Sequence, residues 1–202
     1  MDLLRIVFAG VGGQGTLTAT NLMAQMALDK DLPVTSGEIH GMAQRGGIVE
    51  STLLLGGYLS PKISYGEADV LLGFEPLETL RALPYLRPGA LLVSNSEPII
   101  PIGVSMGKEV YPDLEYIQEK CAQCTDNYAF LACKSLGQQA GTVQAANMVL
   151  LGAFCTSGKT PFDLQDLQET VRKYLPQKIV DINLKAIRHG QEALRSWSAS
   201  ES

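Results

Sequence analysis

Leu3 to Ala9 is a short β-prone apolar run that ends in glycine, and from Thr16 to Asp29 the period changes, with Leu17, Thr20, Asn21, Ala24 and Leu28 at helical spacing. The chain therefore opens as strand, glycine turn, helix. Leu32 to Ser36 reads as a second strand, and Gly37 to Gly47 is rich enough in glycine and polar groups to read as a long functional loop. Ile48 to Leu55 is β-prone, and Gly56-Gly57 is a hairpin signal that would pair it antiparallel with Tyr58 to Ser64. Ala68 to Phe74 has the continuous apolar character of a fully buried strand, followed by a helix that starts near Pro76. After the Arg87-Pro88-Gly89 turn, Ala90 to Ser94 is another strand. Helices are predicted over Leu114 to Ala122, Tyr128 to Leu136, Asn147 to Cys155, Phe162 to Tyr174 and Lys178 to Trp197.

Strands alternating with helices imply an α/β fold: a Rossmann-like, mostly parallel sheet with helices on both faces, decorated by a small antiparallel hairpin. Residues 1–197 form a single domain on this reading, and 198–202 a frayed tail.

Composition narrows the function. A chain of 202 residues suits one core, and 18% charged residues against 46% hydrophobic ones argue against disorder. The net charge of −5 supplies no basic field to gather a polyanion, so nucleic acid is not the expected partner. The longest apolar stretch, Ala145 to Cys155, is too short to cross a bilayer and is interrupted by Asn147, so no membrane association is expected. No export signal precedes Leu3, which makes a cytoplasmic location the expectation, with Cys121, Cys124, Cys133 and Cys155 as reduced thiols.

Gly10-Val11-Gly12-Gly13-Gln14-Gly15 matches G-x-G-x-x-G between a predicted strand and a helix. Glycine permits the tight turn and the close approach of backbone to a phosphate, while the helix start offers unpaired N–H groups and a partial positive charge. The alternative is a tight turn used only for packing. A dinucleotide fold also needs an acidic residue about 20 positions further on, and Glu38 qualifies. Arg45 can offer a fork of hydrogen bonds to phosphate or carboxylate, or pair with Glu38 on the surface. His40 has no visible partner and reads as structural.

Other constellations carry less. Cys121-x-x-Cys124 falls on a predicted helix and the later cysteines lack cluster intervals, so packing thiols are expected and no metal site. Gly158-Lys159-Thr160 echoes a P-loop but has Ala153 where the first glycine belongs. Glu75 stands either at a ligand crevice or as the cap of the Pro76 helix, and Asn95 and Ser96 end a strand in the same way. No catalytic residue is assigned.

Together the glycine loop, Glu38 to Gly47, Gly66 to Leu72, Phe74 to Glu78, Leu83 to Gly89 and Asn147 to Gly152 make the chain resemble the gamma-type subunits of 2-oxoacid:ferredoxin oxidoreductases, over about Leu3 to Gly190. The Glu38 to Gly47 segment is similar to that of the indolepyruvate branch. The resemblance implies a non-catalytic subunit of a thiamine-dependent complex that converts a 2-oxoacid, an arylpyruvate in this branch, with CoA and oxidised ferredoxin to acyl-CoA, carbon dioxide and reduced ferredoxin. Thiamine diphosphate, its magnesium ion and the iron–sulfur clusters are then expected on the catalytic partner subunit, ferredoxin is a partner via the complex, and this chain binds no cofactor tightly alone. CoA as co-substrate is implied near Gly10, Val11, Gly12, Gly13, Gln14, Gly15 and Thr16, with Gln44, Arg45 and Asn147 as further contacts. An NAD(P)-dependent Rossmann oxidoreductase and a purely architectural interaction subunit stay open as alternatives.

Overall fold

The computed structural model describes residues 3–40, 47–100, 104 and 110–200. Its strands are β1 (Leu4–Val11), β2 (Val34–His40), β3 (Ile48–Leu55), β4 (Ala68–Gly73), β5 (Leu86–Asn95) and β6 (Tyr128–Leu131), hydrogen-bonded in the order β2-β3-β1-β4-β5-β6. The helices among the described residues are α1 (Thr16–Asp29), α2 (Pro76–Ala82), α3 (Leu114–Ala122), α4 (Cys133–Ala140), α5 (Ala146–Thr156), α6 (Leu164–Tyr174) and α7 (Gln177–Ser200).

β1, β4, β5 and β6 run parallel, and only β3 opposes its neighbours. The sheet is buried on both sides. Ile6 and Phe8 of β1 pack with α1 and the α4 to α7 layer, whereas the intervening Val7 and Ala9 pack with α2 and α3. Strand side chains alternate between faces, so only a continuous apolar run can satisfy both layers.

Three local expectations are corrected. The antiparallel hairpin is not an appendage formed by Ile48–Leu55 and Tyr58–Ser64; it is β2–β3, built into the sheet. Because β1 takes one edge of β3 and β2 the other, no edge remains for residues 58–64, and Pro61 there has no N–H to give a ladder. The predicted loop from Gly37 is strand as far as His40, because Glu38 pairs with Ser51 and His40 with Val49. Tyr128 to Leu136 is not one helix: Tyr128–Leu131 adds β6 to β5, and α4 begins at Cys133. The closing helix runs on to Ser200.

Candidate functional site

β1 delivers the glycine loop to the carboxyl edge of the sheet, where α/β folds place their ligand crevices. Gly13 and Gly15 have φ of 97° and 78°, the left-handed region that a side chain disfavours. Gly15 is the N-cap of α1, yet among the described residues no side chain caps the helix, and no acidic residue stands in its first turn. Its leading N–H groups and the positive end of its dipole are therefore without a side-chain acceptor.

The loop is held from within. Gln14 Oε1 accepts the Val11 N–H at 2.8 Å and Gln14 Nε2 donates to the Phe74 carbonyl at 2.7 Å. Gly12 N–H donates to the Gly47 carbonyl at 2.9 Å. These groups of Val11, Gly12 and Gln14 are spent on the chain itself, so the loop donors left at the cavity edge lie at Gly13 and Gly15.

Two cavities flank the loop. One, of about 260 Å³, lies between Gly12–Gln14, the end of β5 at Asn95, and the starts of α4 and α5. The other, of about 280 Å³, lies beyond Gly15 and is closed by Met148, Leu175, Ile179 and Ile182. Gly13, Gln14, Gln144 and Asn147 border both. Asn147, only 6% exposed, donates from Nδ2 to the Gly15 carbonyl at 3.4 Å, joining residues 132 positions apart. A methyl group on Gly15 would lie 2.5 Å from that nitrogen. Asn147 Oδ1 and Thr16 Oγ1 are buried without hydrogen-bond partners among the described residues. Leaving such atoms unsatisfied costs about 1–3 kcal/mol each, so a water or a ligand group that bonded Asn147 Oδ1 would recover that cost.

The crevice walls are fixed by polar clamps. Asn95 Nδ2 donates to the Phe74 and Glu97 carbonyls, while its Oδ1 accepts the N–H groups of Glu97 and Cys133. Glu97 accepts the Ser135 N–H at 2.8 Å and its hydroxyl at 2.6 Å, which pins the first turn of α4. Glu75, 1% exposed, does cap α2 through the Glu78 N–H, and also accepts from Ile99 N–H and the Tyr111 hydroxyl. Burial, with that bond to Glu75, pushes the Tyr111 phenol well above its ordinary range. Burial likewise raises Glu78, opposed by the adjacent Arg81 guanidinium.

The predicted residues divide accordingly. Gly10 to Thr16 and Asn147 meet at one corner; Gln44 and Arg45 lie outside the described residues. Glu38 ends in a different place from the one a dinucleotide fold requires. β3 separates β2 from β1, and Glu38 is level with Ser51, which is level with Phe8, so two strand spacings, about 10 Å, intervene. Lys134, Glu97 and Gln144 on the cavity walls went unpredicted. Lys134 was hidden because the β6–α4 junction reads in sequence as one helix.

The cysteines are free, with Cys121, Cys133 and Cys155 buried and Cys124 exposed. Burial pushes the Cys121 thiol up to about 12 and those of Cys133 and Cys155 higher. A thiol-reactive disulfide reagent at pH 8 is expected to modify Cys124 rapidly and the other three only after denaturation. Rapid native reaction at Cys133 would show that the wall of the first cavity is open.

The family model described as pyruvate ferredoxin/flavodoxin oxidoreductase matches residues 5–193. An indolepyruvate oxidoreductase subunit IorB from Pyrococcus horikoshii is 41% identical over 201 residues, covering 96% of this chain and 98% of that one. Among solved structures, the pyruvate oxidoreductase subunit PORC from Thermotoga maritima aligns with a TM-score of 0.71 at 20% identity, covering 96% of this chain and 97% of that chain. A 2-oxoglutarate:ferredoxin oxidoreductase from Magnetococcus marinus, with 2-oxoglutarate, coenzyme A and succinyl-CoA bound, aligns at 0.68 and 18% identity over 97% of this chain and 32% of that chain. These two likenesses carry the fold.

Proposed function

From its membership of the pyruvate ferredoxin/flavodoxin oxidoreductase family, to which this chain belongs, we propose that it is the small, non-catalytic subunit of an indolepyruvate-type 2-oxoacid:ferredoxin oxidoreductase and holds the nucleotide end of CoA in the crevice at the carboxyl edge of its sheet. Four curated relatives, at 35–41% identity over nearly their whole length, carry the name indolepyruvate oxidoreductase subunit, which supports the substrate class. Carbanion chemistry is supplied by thiamine diphosphate, and electron transfer to ferredoxin by iron–sulfur clusters, on the partner subunit.

The observation that carries the CoA reading is the corner of Gly13, Gly15 and Asn147. A phosphate accepts hydrogen bonds, and the N–H groups of Gly13 and Gly15 before the uncapped start of α1 supply donors at the cavity edge. Asn147 Oδ1 is an acceptor, suited to an amino, amide or hydroxyl hydrogen, all of which CoA carries. The work of this chain is thus to bind and orient the thiol donor while the partner performs the chemistry; positioning of this kind contributes several kcal/mol to a bimolecular step.

Calorimetric titration of the reconstituted two-subunit complex with CoA, NADH and NADPH tests the reading. Saturable binding of CoA, and of neither nicotinamide nucleotide, is expected. NADH binding without CoA binding would restore the dehydrogenase alternative.

A further inference from the structure

We propose that Lys134 is a specificity-determining residue of this crevice, contacting a phosphate of the bound CoA and distinguishing it from uncharged thiols. The inference rests on the CoA reading above and adds a residue that neither the glycine motif nor the sequence pattern marks. Lys134 stands in the first turn of α4 and lines the 260 Å³ cavity across from Gly12 and Gly13. Among the described residues bordering either cavity beside the glycine loop, it is the only lysine or arginine.

The charge arrangement explains why a cation is needed there. Glu97 faces the same cavity and is anchored to Ser135, so its negative charge is fixed on the wall that an incoming phosphate meets. The N–H of Cys133 is taken by Asn95 and that of Ser135 by Glu97, so those donors of α4 are spent within the protein. Of the first three N–H groups of α4 only that of Lys134 is left, so an anion on this side meets Lys134 through its N–H and its ammonium together, while α1 meets it from the opposite side. The exposed ammonium can swing over the mouth and form a charge-assisted hydrogen bond without the cost of a buried charge. Asn147, buried on the third wall with Oδ1 unpartnered among the described residues, is an independent observation that favours a polar ligand in the cavity.

The test compares wild-type, Lys134→Ala and Lys134→Arg complexes, reconstituted with the catalytic subunit, in steady-state oxidation of the 2-oxoacid with CoA or with pantetheine, which has the same thiol arm and no phosphate. Lys134→Ala is expected to raise the KM for CoA about tenfold with kcat unchanged, to leave the pantetheine rate unaltered, and to be rescued by Lys134→Arg. A KM for CoA within twofold of wild type, or an equal loss with pantetheine, would overturn the assignment. A wild-type complex that turns over without regard to CoA overturns instead the functional reading on which it rests.

Discussion

Gly190→Ala should lower the stability of this chain by about 3 kcal/mol, a fall in Tm of roughly 10 °C for a domain of this size. The sign is the informative part. In a helix interior alanine is ordinarily favoured over glycine by about 1 kcal/mol. Here a methyl group at Gly190 would lie 1.9 Å from the Val149 carbonyl oxygen and 3.0 Å from the Ala153 nitrogen, so it meets backbone that cannot rotate away. Gly152, on the same seam, would place its methyl 2.3 Å from the Ile187 carbonyl oxygen. α5 and α7 are therefore packed backbone to backbone, and separating them strips contacts from Val149, Leu150, Ala186 and Ile187, all in the main core. Gly152→Ala should cost a similar amount and the double variant clearly less than the sum, since a helix already displaced by the first methyl accommodates the second. Thermal melts that showed Gly190→Ala equal to or above wild type would contradict this packing.

Gly15→Ala should leave the complex assembled and raise the KM for CoA by one to two orders of magnitude. Two effects combine. The φ of 78° costs an L-residue about 1–2 kcal/mol, and the new methyl, 2.5 Å from Asn147 Nδ2, pushes that side chain out of the corner between the two cavities. Gly158→Ala is the matched control, because its φ of 69° imposes the same backbone strain with nothing within 4 Å of the new methyl. If both variants lose the same stability and only Gly15→Ala loses CoA affinity, the loss belongs to the site. Weakened assembly with KM unchanged would instead favour an architectural role for the glycine loop. Titration of CoA at saturating 2-oxoacid, with gel filtration of each complex, separates these outcomes.

The parts of the fold that local chemistry dictates were legible in the sequence. β1, the glycine loop and α1 follow from an apolar run, glycines at the turn and a change of period, and Glu75 could be read as a cap from Pro76 beside it. Strand order could not be read, since no local pattern says that β3 inserts between β1 and β2; that insertion is what removes Glu38 from the position a dinucleotide fold gives it. Asn147 was reached only through the family resemblance. Its chemistry depends on α5 returning to Gly15 across 132 residues, which neither segment encodes alone. Lys134 was invisible for a simpler reason: four residues of β6 followed closely by a helix give an apolar run that periodicity cannot apportion.

Hydrogen–deuterium exchange of the reconstituted complex with and without CoA tests the central claim most directly, because it reads the backbone N–H groups at the start of α1. Slowed exchange over Gly13–Thr18 and over 143–147 on adding CoA, and none on adding NADH, is the predicted result. Unchanged exchange in both segments while CoA saturates the enzyme would place the nucleotide elsewhere and contradict the account.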